Sequence, residues 1–419
     1  MSSSLSIKGR LAPRKLALLY VILVVSMCFS LLYGWVPIFQ KQAYIATLAF
    51  LSSLLIVPTY FRTRLFILTI IYAVVVLLNA QMGDEYTEGK EVMDGLLLIM
   101  SGSISFYIMK SDDQRVKKWI CILIMMILLI QTIPAILFYF TSQDTIKTVV
   151  TAIFHNDTDL EWGQLYRMGI MSYPMIHSLP VLVPPQIMWL RSRGISKFWK
   201  TVCFITLLNI FLLSYIYDVT TVQFLVLFCI AASLLIYPNQ NQRNRKRILI
   251  ASVLMLPILL STNLQLGMLR GVEYFAPGEM KEKVADIRYD MIHDSETGDM
   301  ANRQNLYALS FETFLTSPLV GTDDYTRIGG HSSIIDRMAA FGLLGFVPFI
   351  LVLILATFQC RTCLPSSSRW YFTICVISFA VMQLMKSMCH VEEWLMYLVV
   401  APSLLSLDPP LIGLSHHKR

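Results

Sequence analysis

What most limits the fold of this chain is a series of long apolar runs separated by short polar connections. Runs near residues 16–35, 42–58, 65–80, 93–109, 119–140, 171–190, 201–217, 222–237, 248–262, 338–358, 371–387 and 394–407 have the length and apolarity of segments that cross a hydrocarbon layer of ~30 Å. In lipid the backbone has to satisfy its own polar groups, so the runs read as helices. The sequence is 56% hydrophobic and 15% charged, which is too apolar for a soluble domain. Two runs are atypical. The fourth opens on Asp94, and the sixth holds Pro174, Pro180, Pro184 and Pro185; helices in lipid tolerate such prolines when neighbours satisfy the freed carbonyls. The first run follows Arg10, Arg14 and Lys15. It is longer than a usual signal core and lacks a small-residue cleavage site, so it reads as an uncleaved span.

The connections alternate in charge. With the N-terminus in the cytoplasm, the seven inner segments hold 22 of the 34 Lys and Arg but, of the 27 acids, only Asp112, Asp113 and Asp408. Every second connection thus obeys the positive-inside rule. The expected fold is an all-α polytopic membrane protein of about twelve transmembrane helices with both termini cytoplasmic. The formal net charge of +7 is then an orientation signal, and no nucleic-acid partner is implied. Cys28, Cys121, Cys203, Cys229 and Cys375 fall inside apolar runs, and Cys360 and Cys363 form a lone CxxC without a second pair. That pattern indicates neither a disulfide framework nor a metal site.

Two outer connections are long, 141–170 and roughly 263–337, and long segments in a compact bundle usually carry function. They divide the chain into a nine-span bundle over 1–262, an external loop over 263–337, and three spans with a short tail over 338–419. The loop is expected to be helical. Residues 278–293 carry charges at helical spacing, and 301–321 read as an amphipathic helix with Leu306, Leu309, Phe311 and Phe314 on its apolar face, stopped by Pro318 and Gly321. Such a helix belongs in the membrane interface or as a cap on the bundle.

Chemistry-bearing residues gather on this outer side: Arg167 in the first long connection, then Arg270, Arg288, Arg303, Arg327, His331, Asp336 and Arg337 in the second. The planar guanidinium matches a diphosphate bidentately and stays charged near lipid. An imidazole exchanges a proton near neutral pH, which suits His331 to general acid–base work. Gly329 and Gly330 permit a sharp turn or a close approach. Each residue also has a plain structural reading. Ser332 or Ser333 caps the tenth span with His331 beside it, Asp336–Arg337 is an interfacial charge pair, Arg303 is a solvated helix residue, and Arg167 snorkels at the membrane edge. His177 lies among the prolines of the sixth run, and His390, Glu392 and Glu393 sit in a tight outer turn.

Residues 302–349, NRQNLYALSFETFLTSPLVGTDDYTRIGGHSSIIDRMAAFGLLGFVPF, resemble the signature region of the O-antigen polymerase/ligase superfamily, polytopic GT-C-type glycosyltransferases of bacterial surface-polysaccharide assembly. The resemblance rests on Arg303 heading a loop helix, the Pro318-x-x-Gly321 turn, His331, and a span opening with Gly342–Leu343–Leu344–Gly345. It implies that Arg303, joined by Arg167 and by Arg288, binds the diphosphate of an undecaprenyl-linked glycan donor. It implies that His331 activates the acceptor hydroxyl, with Gly329, Gly330, Ser332 and Asp336 supporting the loop. One departure stands out, because the family commonly carries an Arg in a short mid-chain outer turn and YDVTTVQ (217–223) has none.

The resemblance therefore implies a metal-independent, inverting polymerase of oligosaccharide repeat units. It would use no cofactor, work in the bacterial inner membrane, take a glycan donor and a glycan acceptor, and act beside a chain-length regulator. The alternatives are an O-antigen ligase acting on lipid A core and, from another class, a twelve-span transporter or flippase. A transporter should place polar groups near mid-membrane and show a half-to-half repeat; this sequence concentrates them in one outer loop.

Overall fold

The computed structural model describes residues 51–52, 55–80, 98–99, 101–109, 114–141, 162–192, 195–217, 219–236, 262–275, 281–282, 284–286, 288–289, 299–322, 324–386 and 391–407, with single positions at 18, 48, 146, 149 and 246. Among these residues all regular structure is helical. In chain order the helices are α1 (Arg64–Ala80), α2 (Gln114–Thr141), α3 (Trp162–Arg167), α4 (Tyr173–Ser178), α5 (Val183–Arg191), α6 (Lys197–Ile216), α7 (Thr220–Leu235), α8 (Thr262–Phe275), α9 (Asp299–Thr316), α10 (Ser333–Cys363), α11 (Arg369–Met385), α12 (Val391–Leu395) and α13 (Ala401–Ser406). Residues 101–109 are also helical.

Val116–Thr141, Lys197–Ile216 and Ser333–Cys363 are long and apolar enough to cross a membrane, and Arg64–Asn79, Thr221–Leu235 and Arg369–Met385 are shorter apolar helices. Their outward faces carry side chains such as Leu137, Phe140, Phe204, Leu208, Ile354 and Phe358, all exposed, as a lipid-facing surface requires. Among the described residues the protein is thus all-helical, with apolar helices of membrane type. All but one residue of the first and of the ninth expected runs, and most of the second, lie outside the described residues, so the described helices do not by themselves make a count of twelve.

The bundle is centred on α5, α11 and the 391–406 segment. In that segment α12 and α13 are joined by a π turn, Met396–Val400. Phe379 stacks on Tyr397 with ring centroids 4.1 Å apart, and Trp189 Nε1 donates to the Leu404 carbonyl at 2.9 Å. The expected sixth span is not one rod. It runs as α4, a 3-10 turn (Leu179–Leu182) and α5. Each proline falls in the first turn of a piece, where a missing N–H breaks no bond within that piece. At the opposite end, Arg191 Nη1 donates to the carbonyls of Ser233, Leu234 and Ile236 at 3.0, 2.9 and 2.6 Å. This basic residue therefore also closes the last turn of α7.

Candidate active site

The N-terminal part of α10 is where the sequence pattern converges, and its geometry begins with a broken helix. Gly342 has φ 56° and ψ −165°, a conformation essentially confined to glycine. The break frees backbone groups on both sides. The Leu343 amide donates to the Pro318 carbonyl at 2.8 Å and the Leu344 amide to Leu319 at 3.0 Å, while the Ala339 carbonyl accepts from the Thr322 amide at 3.0 Å. The Ala340 carbonyl takes Asn79 Nδ2 of α1 at 2.7 Å, and the same nitrogen reaches the Val320 carbonyl at 3.3 Å. The Pro318-x-x-Gly321 turn is therefore inserted into the gap in α10, and its backbone takes up groups that the break frees. Gly321 (φ +83°) faces the gap; a Cβ there would lie 2.1 Å from the Ala340 oxygen, and one at Gly342 would lie 2.4 Å from the Leu319 carbonyl. The expected tenth span, 338–358, thus begins earlier, at Ser333, and consists of two helical pieces.

Beyond the turn, the chain climbs back over α9 to reach α10. Thr313 Oγ1 donates to the Arg327 carbonyl at 2.7 Å, and the Gly329 amide donates to Ser310 Oγ at 2.8 Å. A side chain at Gly329 would strike the Leu306 carbonyl at 2.2 Å, and Gly330 sits at φ +71°, so this GlyGly pair serves one close approach and one left-handed turn. His331 follows, half-buried. Ser332 then caps α10: its Oγ accepts from the Ile335 amide at 3.3 Å, and its own amide donates to Asp336 Oδ2 at 2.8 Å. The other carboxylate oxygen, Oδ1, accepts from Ser310 Oγ at 2.8 Å. Asp336 also interacts electrostatically with His331.

Asp336 thus ties together α9, the loop and the start of α10, with the imidazole beside it. The expected Asp336–Arg337 surface pair gives way to a different arrangement. Arg337 is buried, its guanidinium 4.6 Å from the centre of the Phe349 ring and hydrogen-bonded to Tyr72 of α1. Cation–π contact and a phenolic acceptor help a buried guanidinium at the membrane edge.

The candidate arginines are placed differently from one another. Arg303 lies in α9, two helical turns before Ser310. Arg167 is the last residue of α3 and is exposed. Arg288 is engaged by Glu273 of α8, with Nε 2.8 Å from Oε2 and Nη2 3.4 Å from Oε1, so a diphosphate would have to displace that carboxylate.

The segment that follows Arg167 is bonded to the start of α12, and the segment that follows His331 to the C-terminal end of α11. After Arg167 the chain turns at Gly169 (φ 81°). Tyr217 Oη accepts from the Met171 amide at 2.6 Å, and Ser172 Oγ donates to Glu392 Oε1 at 3.1 Å. On the other side, the Lys386 carbonyl accepts from both the amide and the Oγ of Ser333, each at 3.0 Å. Sequence reasoning missed Ser310, Asn79, Tyr72 and Ser172. The only trace of Asn79 was a polar residue at the end of an apolar run, and Ser310 carried no signal at all.

Among the described residues, no three His, Cys, Asp or Glu side chains gather as a metal-holding group. No family model matches the chain, and no curated protein matches it.

Proposed function

We propose that this protein is a membrane glycosyltransferase that polymerises undecaprenyl-diphosphate-linked oligosaccharide repeat units at the outer face of a bacterial inner membrane. The observation that carries the reading is the joint at Asp336. It fixes His331 against the same helix that bears Arg303, so two residues 28 positions apart in sequence belong to one packed unit at the end of a membrane-length helix.

In this reading the donor enters sideways from the bilayer, and its diphosphate lies against Arg303 with Arg167 in support. An acceptor sugar hydroxyl attacks the anomeric carbon. The new C–O bond forms as the bond to the diphosphate oxygen breaks, His331 takes the hydroxyl proton, and the lipid diphosphate leaves as an anion stabilised by guanidinium. Attack opposite the leaving group inverts the anomeric centre. Asp336, beside the imidazole, favours the cation that forms when His331 accepts the proton.

The test is a gel of surface glycans from the host with the gene deleted, then restored as wild type, His331→Ala or Arg303→Lys. Loss of the long ladder, leaving a single capped repeat, is the expected result for the deletion and for His331→Ala at normal protein level. Arg303→Lys should also be impaired, since Lys keeps the charge and loses the fork. Loss of all capping, with glycan accumulating on its lipid carrier, would mean ligase. An unchanged ladder in the deletion would overturn both and favour transport.

A further inference from the structure

Helix α9 packs against α10 in an inverted sense. The side chains it buries are polar, Ser310 and Thr313, whereas Phe311, Leu315 and, just beyond the helix, Leu319 and Val320 are exposed. At about 3.6 residues per turn, Ala308, Phe311 and Leu315 fall on one flank of α9. Asn305, Glu312 and Thr316, also exposed, fall on the neighbouring sector. The side turned to the protein thus carries Ser310 and Thr313 with half-buried Leu306 and Phe314, the opposite side is apolar, and the sector of Asn305, Glu312 and Thr316 is polar apart from the exposed Leu309. A helix surrounded by water would gain nothing by turning its phenylalanine and leucines outward.

The apolar flank is continuous with α10. Through the Pro318 and Leu319 carbonyls the turn is bonded to Leu343 and Leu344, which are exposed at 41% and 54%, with Val347 at 45%, beside Leu315 at 59% and Leu319 at 61%. A hydrocarbon layer takes up ~20 helical residues. Counted back from Arg361 near the far end of α10, its opposite edge falls close to the break at Gly342. The turn is thus level with the edge of the acyl region, and Gln304 and Asn305, at the other end of α9, stand away from it.

We propose that Leu315, Leu319 and Val320 rest on the acyl chains of the leaflet that α10 enters, with Phe311 above them among the headgroups, so that α9 is a lipid-seated strut holding the His331 loop at the bilayer surface. The proposal requires that α10 crosses a bilayer and is independent of the transferase reading.

Photoreactive p-benzoylphenylalanine in place of Leu315, Leu319, Leu344 or Asn305, one at a time in the full chain in phosphatidylethanolamine/phosphatidylglycerol vesicles, tests it by mass spectrometry of the irradiated protein. The expected result is phospholipid adduct at 315 and 319 in a yield equal to that at 344, with loss of adduct at 305. Adduct at 344 with none at 315 and 319 would overturn the proposal. So would a cross-linked dimer from 315 or 319, which would make a second copy of the chain the occupant. Absence of adduct at 344 would remove the premise that α10 spans lipid.

Discussion

Among the described residues two helical segments are interrupted, and they are interrupted by opposite means. Residues 173–191 are broken by prolines and 333–363 by one glycine. In the first, every proline sits in the first turn of a new piece, and the segment is buried almost throughout. The pieces follow one another closely, and a carbonyl that loses its partner finds a neighbour: Val181, four residues before Pro185, accepts from Cys375 Sγ at 3.2 Å. In the second, the chain at Gly342 leaves helical geometry altogether, and its freed groups are taken by the distant 318–322 segment and by Asn79. A proline break is repaired within the bundle. A glycine break recruits another piece of chain, and here that piece is the base of the loop that carries His331.

If the glycine break is the joint on which the His331 loop depends, closing it should be the most damaging change. Gly342→Ala meets both a backbone conformation closed to alanine and a Cβ 2.4 Å from the Leu319 carbonyl. A residue held in such a region costs on the order of 1–3 kcal/mol before any clash is counted. We expect Gly342→Ala and Gly321→Ala to lose most of the folded protein, measured as the melting temperature and monodisperse yield in detergent. Gly267→Ala in α8 is the matched control, because its Cβ meets nothing within 4 Å; it should be neutral or stabilising by up to about 1 kcal/mol. Equal behaviour of the three variants would break the comparison.

The next effect is smaller and tests the repair itself. Asn79→Leu keeps the volume but strips the donor from the Ala340 and Val320 carbonyls. Leaving a buried acceptor unsatisfied costs about 1–3 kcal/mol, so the melting temperature should fall, though by less than for Gly342→Ala. Because Asn79 also ties α1 to the loop base, under the proposed function transfer activity in membranes should fall further than the folded yield. If Asn79→Leu melts like wild type, the carbonyls at the break are served in some other way.

These two regions also mark where the sequence was readable. The prolines at 174, 180, 184 and 185 marked the sixth run as atypical, because a proline acts on its own turn and its effect is local, although the run was still expected to be one span. Pro318, Gly321, His331 and Gly342 were visible as a pattern, yet nothing in the pattern says that Gly321 and Gly342 face one another across a gap. That pairing is made by backbone atoms, and backbone atoms have no sequence signature. Asn79 lies more than 200 residues from both of its partners, beyond any periodicity. Helix α9 was legible as a helix but not in its orientation. Leu306, Leu309, Phe311 and Phe314 were expected to form one apolar face, set in the membrane interface or capping the bundle, and the structure buries Ser310 and Thr313, leaves Leu306 and Phe314 half-covered and turns Leu309 and Phe311 outward. A hydrophobic stripe says which face avoids water and is silent on whether protein or lipid receives it.

The smallest expected effect is the most discriminating, because it asks whether the proline break needs its prolines. Pro185→Ala supplies an amide that faces the Val181 carbonyl one turn back, a position now served by the Cys375 thiol. A new hydrogen bond of this kind contributes about 0.5–1.5 kcal/mol. Against it stands the greater freedom of the unfolded chain once the ring is gone, worth about 0.4–1 kcal/mol. The two nearly cancel, so Pro185→Ala should melt within about 1 kcal/mol of wild type, with surface glycan length unchanged. A loss as large as that of Gly342→Ala would mean that the fixed φ of Pro185 holds α5 in place. The two interruptions would then differ in chemistry but not in consequence. If only the glycine variants fail, the His331 loop is held by backbone inserted into a broken helix, and the residues to vary in order to retune the site are those that line the gap.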